Sequence, residues 1–261
     1  MAAPPAIPAP YARGVNDIAG FESADGFQHA IALRAGVVIE AFFKGTVGRV
    51  DVASIPAALA LDAFESVSFG LHRMVYVLQT DGDVHQVWYR SDGDVGSRAL
   101  DNVAGAIDVA AFEDGYAVTH VVVLTAAGEL VELTLSGLGQ VARRVLAVVP
   151  GATRVSGFQA GDDLRCIVIV GQADGGLTEI FYLPGGPPSG GRIAATGPAI
   201  VDLAAFYTGD DHVRHAVVID GSGEVREVYY GPFAPAAARL RSGTTATRIG
   251  GYVTPDARRH H

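Results

Sequence analysis

What most constrains this chain is that it repeats. A Gly-rich turn leads into a short run that carries an acid or amide and closes on apolar or aromatic residues. It occurs as Gly36-Val-Val-Ile-Glu-Ala-Phe-Phe43, Gly82-Asp-Val-His-Gln-Val-Trp-Tyr89 and Gly128-Glu-Leu-Val-Glu-Leu-Thr-Leu135. It recurs as Gly175-Gly-Leu-Thr-Glu-Ile-Phe-Tyr182 and Gly223-Glu-Val-Arg-Glu-Val-Tyr-Tyr230. The markers Glu40, Gln86, Glu132, Glu179 and Glu227 are separated by 46, 46, 47 and 48 residues. A second series, His29, Met74, His120, Cys166 and His215, opens the apolar run before each turn. A third, Phe21, Phe69, Phe112, Phe158, Phe206 and Tyr252, ends a short run upstream. Three series in phase at one period define a repeat architecture.

Each repeat reads as four short strands. In the fifth these are Val201–Phe206, His215–Ile219, Glu224–Tyr230 and a weaker Ala238–Ser242, separated by Gly/Asp turns. Ile55 to Phe64 has some helical character, but its place in the repeat predicts loop and strand. The third strand is apolar on both faces: Val84, Gln86 and Trp88 point one way, Val87 and Tyr89 the other. Such a strand lies in a sheet covered on both sides, the arrangement that neighbouring blades give each other in a propeller. The reading is all-β: a five-bladed β-propeller of four-stranded antiparallel blades in a single domain, residues 17–261, after a Pro/Ala-rich arm, residues 1–16. Thr247–Val253 matches the start of a sixth repeat, and His260 follows Tyr252 as His29 follows Phe21. It is expected to close the ring by pairing in one blade with an N-terminal strand; the rival account is an open edge completed by another chain.

Composition narrows the classes. With 49% hydrophobic and 18% charged residues the chain is the reverse of a disordered one. Its 33 glycines argue against a coiled coil, and no apolar run approaches the roughly 20 residues of a membrane helix. A formal charge of −9, with one lysine, Lys44, argues against nucleic acid as a partner. The single cysteine, Cys166, sits in an apolar run, reads as a buried small hydrophobe and leaves no internal disulfide. The proline-broken N-terminus does not read as a secretory signal. The expectation is a soluble, cytoplasmic protein without membrane partners.

Gln28-His-Ala-Ile-Ala-Leu followed by Val38-Ile-Glu-Ala-Phe, and Arg214-His-Ala-Val-Val followed by Val225-Arg-Glu-Val-Tyr, resemble repeats of the fucose-specific lectin-like β-propellers, a type that includes many bacterial tandem-repeat proteins. The resemblance covers about residues 17–253. It implies a sugar seated between blades, with Arg and Glu bonding its hydroxyls and an aromatic under its apolar face. On that basis the candidate acids are Glu40, Glu132, Glu179 and Glu227. The candidate aromatics are Trp88, Tyr89, Tyr182 and Tyr230, which otherwise read as interblade packing. No Arg recurs at one fixed place beside the acids.

His29/Glu40, His120/Glu132 and His215/Glu227 flank the same hairpin turn and are expected to meet as cross-strand pairs. Where Met74 replaces His, the neutral Gln86 replaces Glu. Three readings stay open: a hydrogen bond satisfying buried polar groups, metal ligation, and acid/base chemistry by one pair. No metal or other cofactor is assigned. The Gly-rich Gly185–Gly191 segment reads as a loop between strands. The function expected is a non-enzymatic recognition module that binds a glycan or other small molecule. The alternatives are an enzyme with a pocket at one propeller face and a protein-interaction scaffold. The sequence leaves monomer and homo-oligomer both open.

Overall fold

The computed structural model describes residues 15–67, 69–90, 93–136, 139–161, 164–208, 212–231, 236–241, 248–250, 252–253 and 259–260. Residues 1–14 of the expected arm, and Ser242 of the expected last strand, lie outside them. The described residues form five four-stranded antiparallel blades. Blade one is β1 (Asp17–Glu22), β2 (Gln28–Arg34), β3 (Val37–Phe43) and β4 (Val47–Ser54). Blade two is β5 (Ala58–Ser66), β6 (His72–Gln79), β7 (Asp83–Tyr89) and β8 (Val95–Asn102). Blade three is β9 (Ala106–Glu113), β10 (Val118–Thr125), β11 (Glu129–Ser136) and β12 (Val141–Val148). Blade four is β13 (Ala152–Gln159), β14 (Cys166–Gln172), β15 (Gly176–Tyr182) and β16 (Ser189–Ala195). Blade five is β17 (Ile200–Thr208), β18 (Val213–Asp220), β19 (Val225–Tyr230) and β20 (Ala236–Arg241). The stretch from Ile55 is loop and then strand, as its place in the repeat implies. The glycine-rich segment is a loop only as far as Pro188, because β16 begins at Ser189. Gly190 belongs in that strand because a Cβ there would lie 2.0 Å from the Glu179 carbonyl oxygen.

The hairpin glycine has two jobs. Gly36, Gly82, Gly128, Gly175 and Gly223 all have φ between 76° and 93°, a conformation only glycine adopts at no steric cost. In the first four the chain entering the next blade also crosses the turn. Val149 N–H donates to the Gly128 carbonyl at 2.7 Å, and a Cβ on Gly128 would lie 2.2 Å from the Val149 oxygen. Gly128→Ala is therefore expected to cost at least about 2–3 kcal/mol, strain at positive φ plus displacement of the crossing strand, read as a lower denaturation midpoint.

The core lies between blades. Four apolar clusters fill the one–two, two–three, three–four and four–five interfaces. Burying one face of each sheet against each neighbour is what double-sided strands such as β7 require. Val84, Val87 and Tyr89 are buried, and Trp88 is half-buried against Gly96.

The inner strands β1, β5, β9, β13 and β17 surround a central channel of about 300 Å³. They are clasped by polar side chains that reach to the next blade. Asp17 accepts the N–H of Leu61, Asp62 that of Ala111, Asp108 that of Val155 and Ser156 that of Ala205, at 2.8–2.9 Å. Asp202 accepts that of Ile249. Each clasp satisfies an inner-strand donor that no neighbouring strand can reach.

Among the described residues, none after Ile249 joins blade one, whose four strands all come from its own repeat. Instead β21 (Tyr252–Val253) pairs with β22 (Arg259–His260) and lies against both β1 and β17. Tyr252 opposes His260 in the register by which Phe21 opposes His29.

Candidate functional site

The expected His/Glu pairs form. His29 Nδ1 lies 2.7 Å from Glu40, His120 Nδ1 2.7 Å from Glu132 and His215 Nδ1 2.8 Å from Glu227. They are diagonal rather than directly opposed, because His29 faces Phe42 and Glu40 faces Ile31. Strand order alone could not separate these, since both lie within reach across a hairpin. The second ring nitrogen is also bonded, to Ser23 in blade one at 2.8 Å, Asp114 in blade three at 3.0 Å and Thr208 in blade five at 3.0 Å. Each imidazole stacks on the aromatic of the adjacent inner strand: Phe21, Phe112 or Phe206.

Ser23–His29–Glu40 has the connectivity of a nucleophile, base and orienting acid. All three residues are buried, and Ser23 Oγ donates to Asp25 at 2.5 Å. Its hydroxyl is thereby turned away from attack, and Asp114 and Thr208 take the same place in other blades. The repeated element is a buried polar relay that ties the first loop of a blade to its third strand.

Two assignments of the repeat need correcting. Phe69 is not the inner-strand aromatic of blade two. Phe64 opposes Met74 there as Phe21 opposes His29, whereas Phe69 lies in the following loop against His72. Cys166 is not the counterpart of the histidines. Ile167 opposes Phe158, and Cys166 faces Tyr182 just as Arg73 faces Tyr89 and Arg214 faces Tyr230.

That shift exposes an arginine pattern that sequence reading missed. At the one–two interface Arg73, from the next blade, lies 3.5 Å from Glu40. At the four–five interface Arg214, from the same position, bonds Glu179 at 3.1 Å. Where that position holds Thr119 or Cys166, an arginine from the fourth strand of the acid's own blade takes over. Arg98 bonds Gln86 at 2.8 Å, and Arg144 bonds Glu132. Two sources alternate, so no single spacing reveals them.

At the three–four and four–five interfaces the tyrosine of the next blade completes the group, whereas at the two–three interface Leu135 holds its place and Gln86 donates to Tyr76 of its own blade at 3.0 Å. Tyr182 hydroxyl donates to Glu132 and Tyr230 to Glu179, both at 2.5 Å. Arg144 also lies over the Tyr182 ring at 4.9 Å, and Arg73 over Tyr89 at 5.7 Å. Burial, followed by the neighbouring Glu132, Glu179 or Glu40, pushes the hydroxyls of Tyr182, Tyr230 and Tyr89 well above the usual tyrosine range. Burial works against the charged form of both Glu132 and His120, but their hydrogen bonds outweigh it. Glu132 is lowered by His120, Arg144 and Tyr182, while His120 is pushed up to about 10 by Cys166, Glu132 and Asp114. Glu40, Glu132, Glu179 and Glu227 are all buried. The half-buried Phe42, Trp88 and Phe181 share their strand face, at the outer side of the same cleft.

In the channel, burial raises the carboxyls of Asp62 and Asp202 to about 7 and Asp108 to about 8, and Asp17 is raised as well. Arg154 lies 3.6 Å from Asp202, and Arg248 3.6 Å from Asp17.

No protein-family model matches the chain, and no curated protein matches it in sequence. Solved structures do. AofleA from Arthrobotrys oligospora superposes with a TM-score of 0.75 at 17% identity, over 95% of this chain and 79% of that one. The Aleuria aurantia lectin, described as a six-bladed β-propeller with a novel fucose recognition mode, gives 0.69 at 14% identity, over 88% and 80%. This chain resembles the fucose-lectin β-propellers. The propeller fold also reaches beyond lectins: a virginiamycin B lyase from Staphylococcus aureus superposes at 0.60 with 10% identity, over 93% and 76%. No helix of the described residues is long and apolar enough to cross a membrane.

Proposed function

We propose that the protein is a carbohydrate-recognition module that binds sugars in the clefts between blades. The observation that carries this is the recurrence, at three interfaces, of an acid or amide with an aromatic on the same strand and an arginine supplied by the next blade or by the acid's own blade. These are Glu40, Arg73 and Phe42; Gln86, Arg98 and Trp88; and Glu179, Arg214 and Phe181. A pyranose offers vicinal hydroxyls to a fixed Arg/Glu pair and an apolar face to an aromatic ring, so this set meets both needs. Three clefts of one design suit a multivalent ligand, for which weak single sites add by effective concentration.

The buried acids act here mainly by orienting the arginines, whose side chains keep a path to solvent. Glu132 and Glu227 belong to the same series but differ in surroundings: the three–four cleft carries Thr134 where others carry an aromatic. Tyr89 stands behind the Glu40/Arg73 pair, Tyr230 behind Glu179/Arg214 and Tyr182 behind Glu132/Arg144.

A glycan array probed with the full chain, followed by calorimetry, tests the reading. We expect millimolar or tighter binding to at least one fucoside or related hexose. Arg214→Ala should weaken it about tenfold or more at that cleft, as loss of a charged hydrogen bond of about 1.5–3 kcal/mol requires. A folded chain that binds no sugar at millimolar concentration would exclude the proposal and favour catalytic or scaffold use of the same fold.

A further inference from the structure

The interface between blades three and four holds a group of side chains that the carbohydrate reading does not use. We propose that Asp114, His120 and Cys166 form a site for one divalent transition-metal ion, with zinc the best chemical match.

The three residues come from two blades and offer three donor types. Asp114 stands in the loop after β9, His120 in β10, and Cys166 opens β14. One ligand atom from each lies within 4.8 Å of the others, and all three residues are buried. His120 Nε2 is 3.0 Å from Asp114 Oδ2 and 3.7 Å from Cys166 Sγ. A tetrahedral zinc with Zn–N of about 2.0 Å and Zn–S of about 2.3 Å has an N–S edge of roughly 3.6 Å, so the His–Cys edge already has the required length. Mixed N, S and O donors favour zinc or cobalt over magnesium or calcium, which take oxygen.

The surroundings fix each donor. Asp114 Oδ1 accepts the backbone N–H groups of Tyr116 and Val118, both at 2.9 Å, which leaves Oδ2 for the site. Glu132 holds His120 Nδ1 at 2.7 Å, so Nε2 faces the other two donors. This carboxylate–histidine pairing orients many metal ligands and strengthens them. Arg144 and Tyr182 occupy Glu132 in turn, so its charge is already compensated. A Cys166 thiolate and the Asp114 carboxylate then balance the two charges of the ion. Binding releases the thiol proton and the Nε2 proton to water. Three protein donors leave the fourth tetrahedral position for a water, and the exposed Tyr116 stands two residues after Asp114.

The other blades show why this interface differs. Their histidines meet Ser23 or Thr208, and the place of Cys166 is taken by Arg73 or Arg214, cations that would repel a metal. Among the described residues no other group of three such donors converges.

The test uses the full chain, stripped with a chelator and titrated with cobalt(II), then with zinc. Cys166 is the sole cysteine, so a thiolate-to-cobalt charge-transfer band reports this site and no other. We expect one equivalent of cobalt, displaced by zinc. The band should be absent in Cys166→Ser, at least tenfold weaker in affinity in Asp114→Asn, and roughly 10–100-fold weaker in Glu132→Gln. Melting in chelator checks that each variant folds. Zinc-edge anomalous diffraction from the unaltered protein gives a readout that needs no variant. A folded chain with no thiolate–cobalt band, a band indifferent to Asp114→Asn, or an anomalous peak away from these atoms would each overturn the proposal.

Discussion

Glu132→Ala is expected to cost about 3–5 kcal/mol, because it strands three donors in a closed interface. His120, Arg144 and the Tyr182 hydroxyl all converge on that one carboxylate, and all three come from other strands, Tyr182 from the next blade. Removing the acid leaves the buried His120 Nδ1 and the Tyr182 hydroxyl without an acceptor, which is more costly than losing a pair that water can replace. A thermal midpoint lower by at least about 6 °C is the expected readout for a chain of this size. The contrast is Asp51→Ala, which breaks an exposed pair with Arg49 (2.9 Å; side chains 62% and 40% exposed) and should cost no more than about 1 kcal/mol. Similar midpoints for the two variants would mean that the interblade network does not hold the blades together.

The second large effect concerns pH. Asp62, Asp108 and Asp202 keep their protons in the folded chain up to about 7 or 8, because burial around the channel penalises their charged forms. In the unfolded chain the same groups ionise near the ordinary aspartate value of about 3.9. Between those limits the folded state binds more protons, so stability falls as pH rises. The melting midpoint is expected to drop by roughly 5 °C or more from pH 5.5 to pH 8.5. Arg154 and Arg248 temper the effect at Asp202 and Asp17 without removing it. Asp108→Asn should raise the midpoint at pH 8.5 and flatten the profile, since an amide oxygen can still accept the Val155 N–H. A midpoint constant or rising across this range would contradict the assignment.

Much of the fold was legible because symmetry repeats its requirements. A hairpin glycine at positive φ, an acid two residues past the His register and an apolar strand on both faces are needed in every blade, so each recurs near one period. The errors came where one blade offered two similar residues. Phe64 and Phe69 lie 43 and 48 residues after Phe21, on either side of the period, and only the pairing with Met74 decides between them. Cys166 and Ile167 differ by one position, and a one-residue slip moves a side chain to the other face. The arginines were hidden for a different reason. Charge at the interface can be supplied from β6 or β18 in the next blade, or from β8 or β12 in the same blade, and the fold requires the charge rather than the position. The channel clasps did carry a signal: Asp17, Asp108 and Asp202 each stand four residues before the inner-strand aromatic. Their partners are backbone groups of the next blade, which no side-chain pattern displays.

The most direct measurement is a crystal of the full chain soaked with methyl α-L-fucoside, or with the best sugar from the array. The account predicts sugar density in the one–two, two–three or four–five cleft, with hydroxyls on Arg73, Arg98 or Arg214 and the ring against Phe42, Trp88 or Phe181. Density confined to the central channel, or empty clefts at saturating sugar, would contradict it.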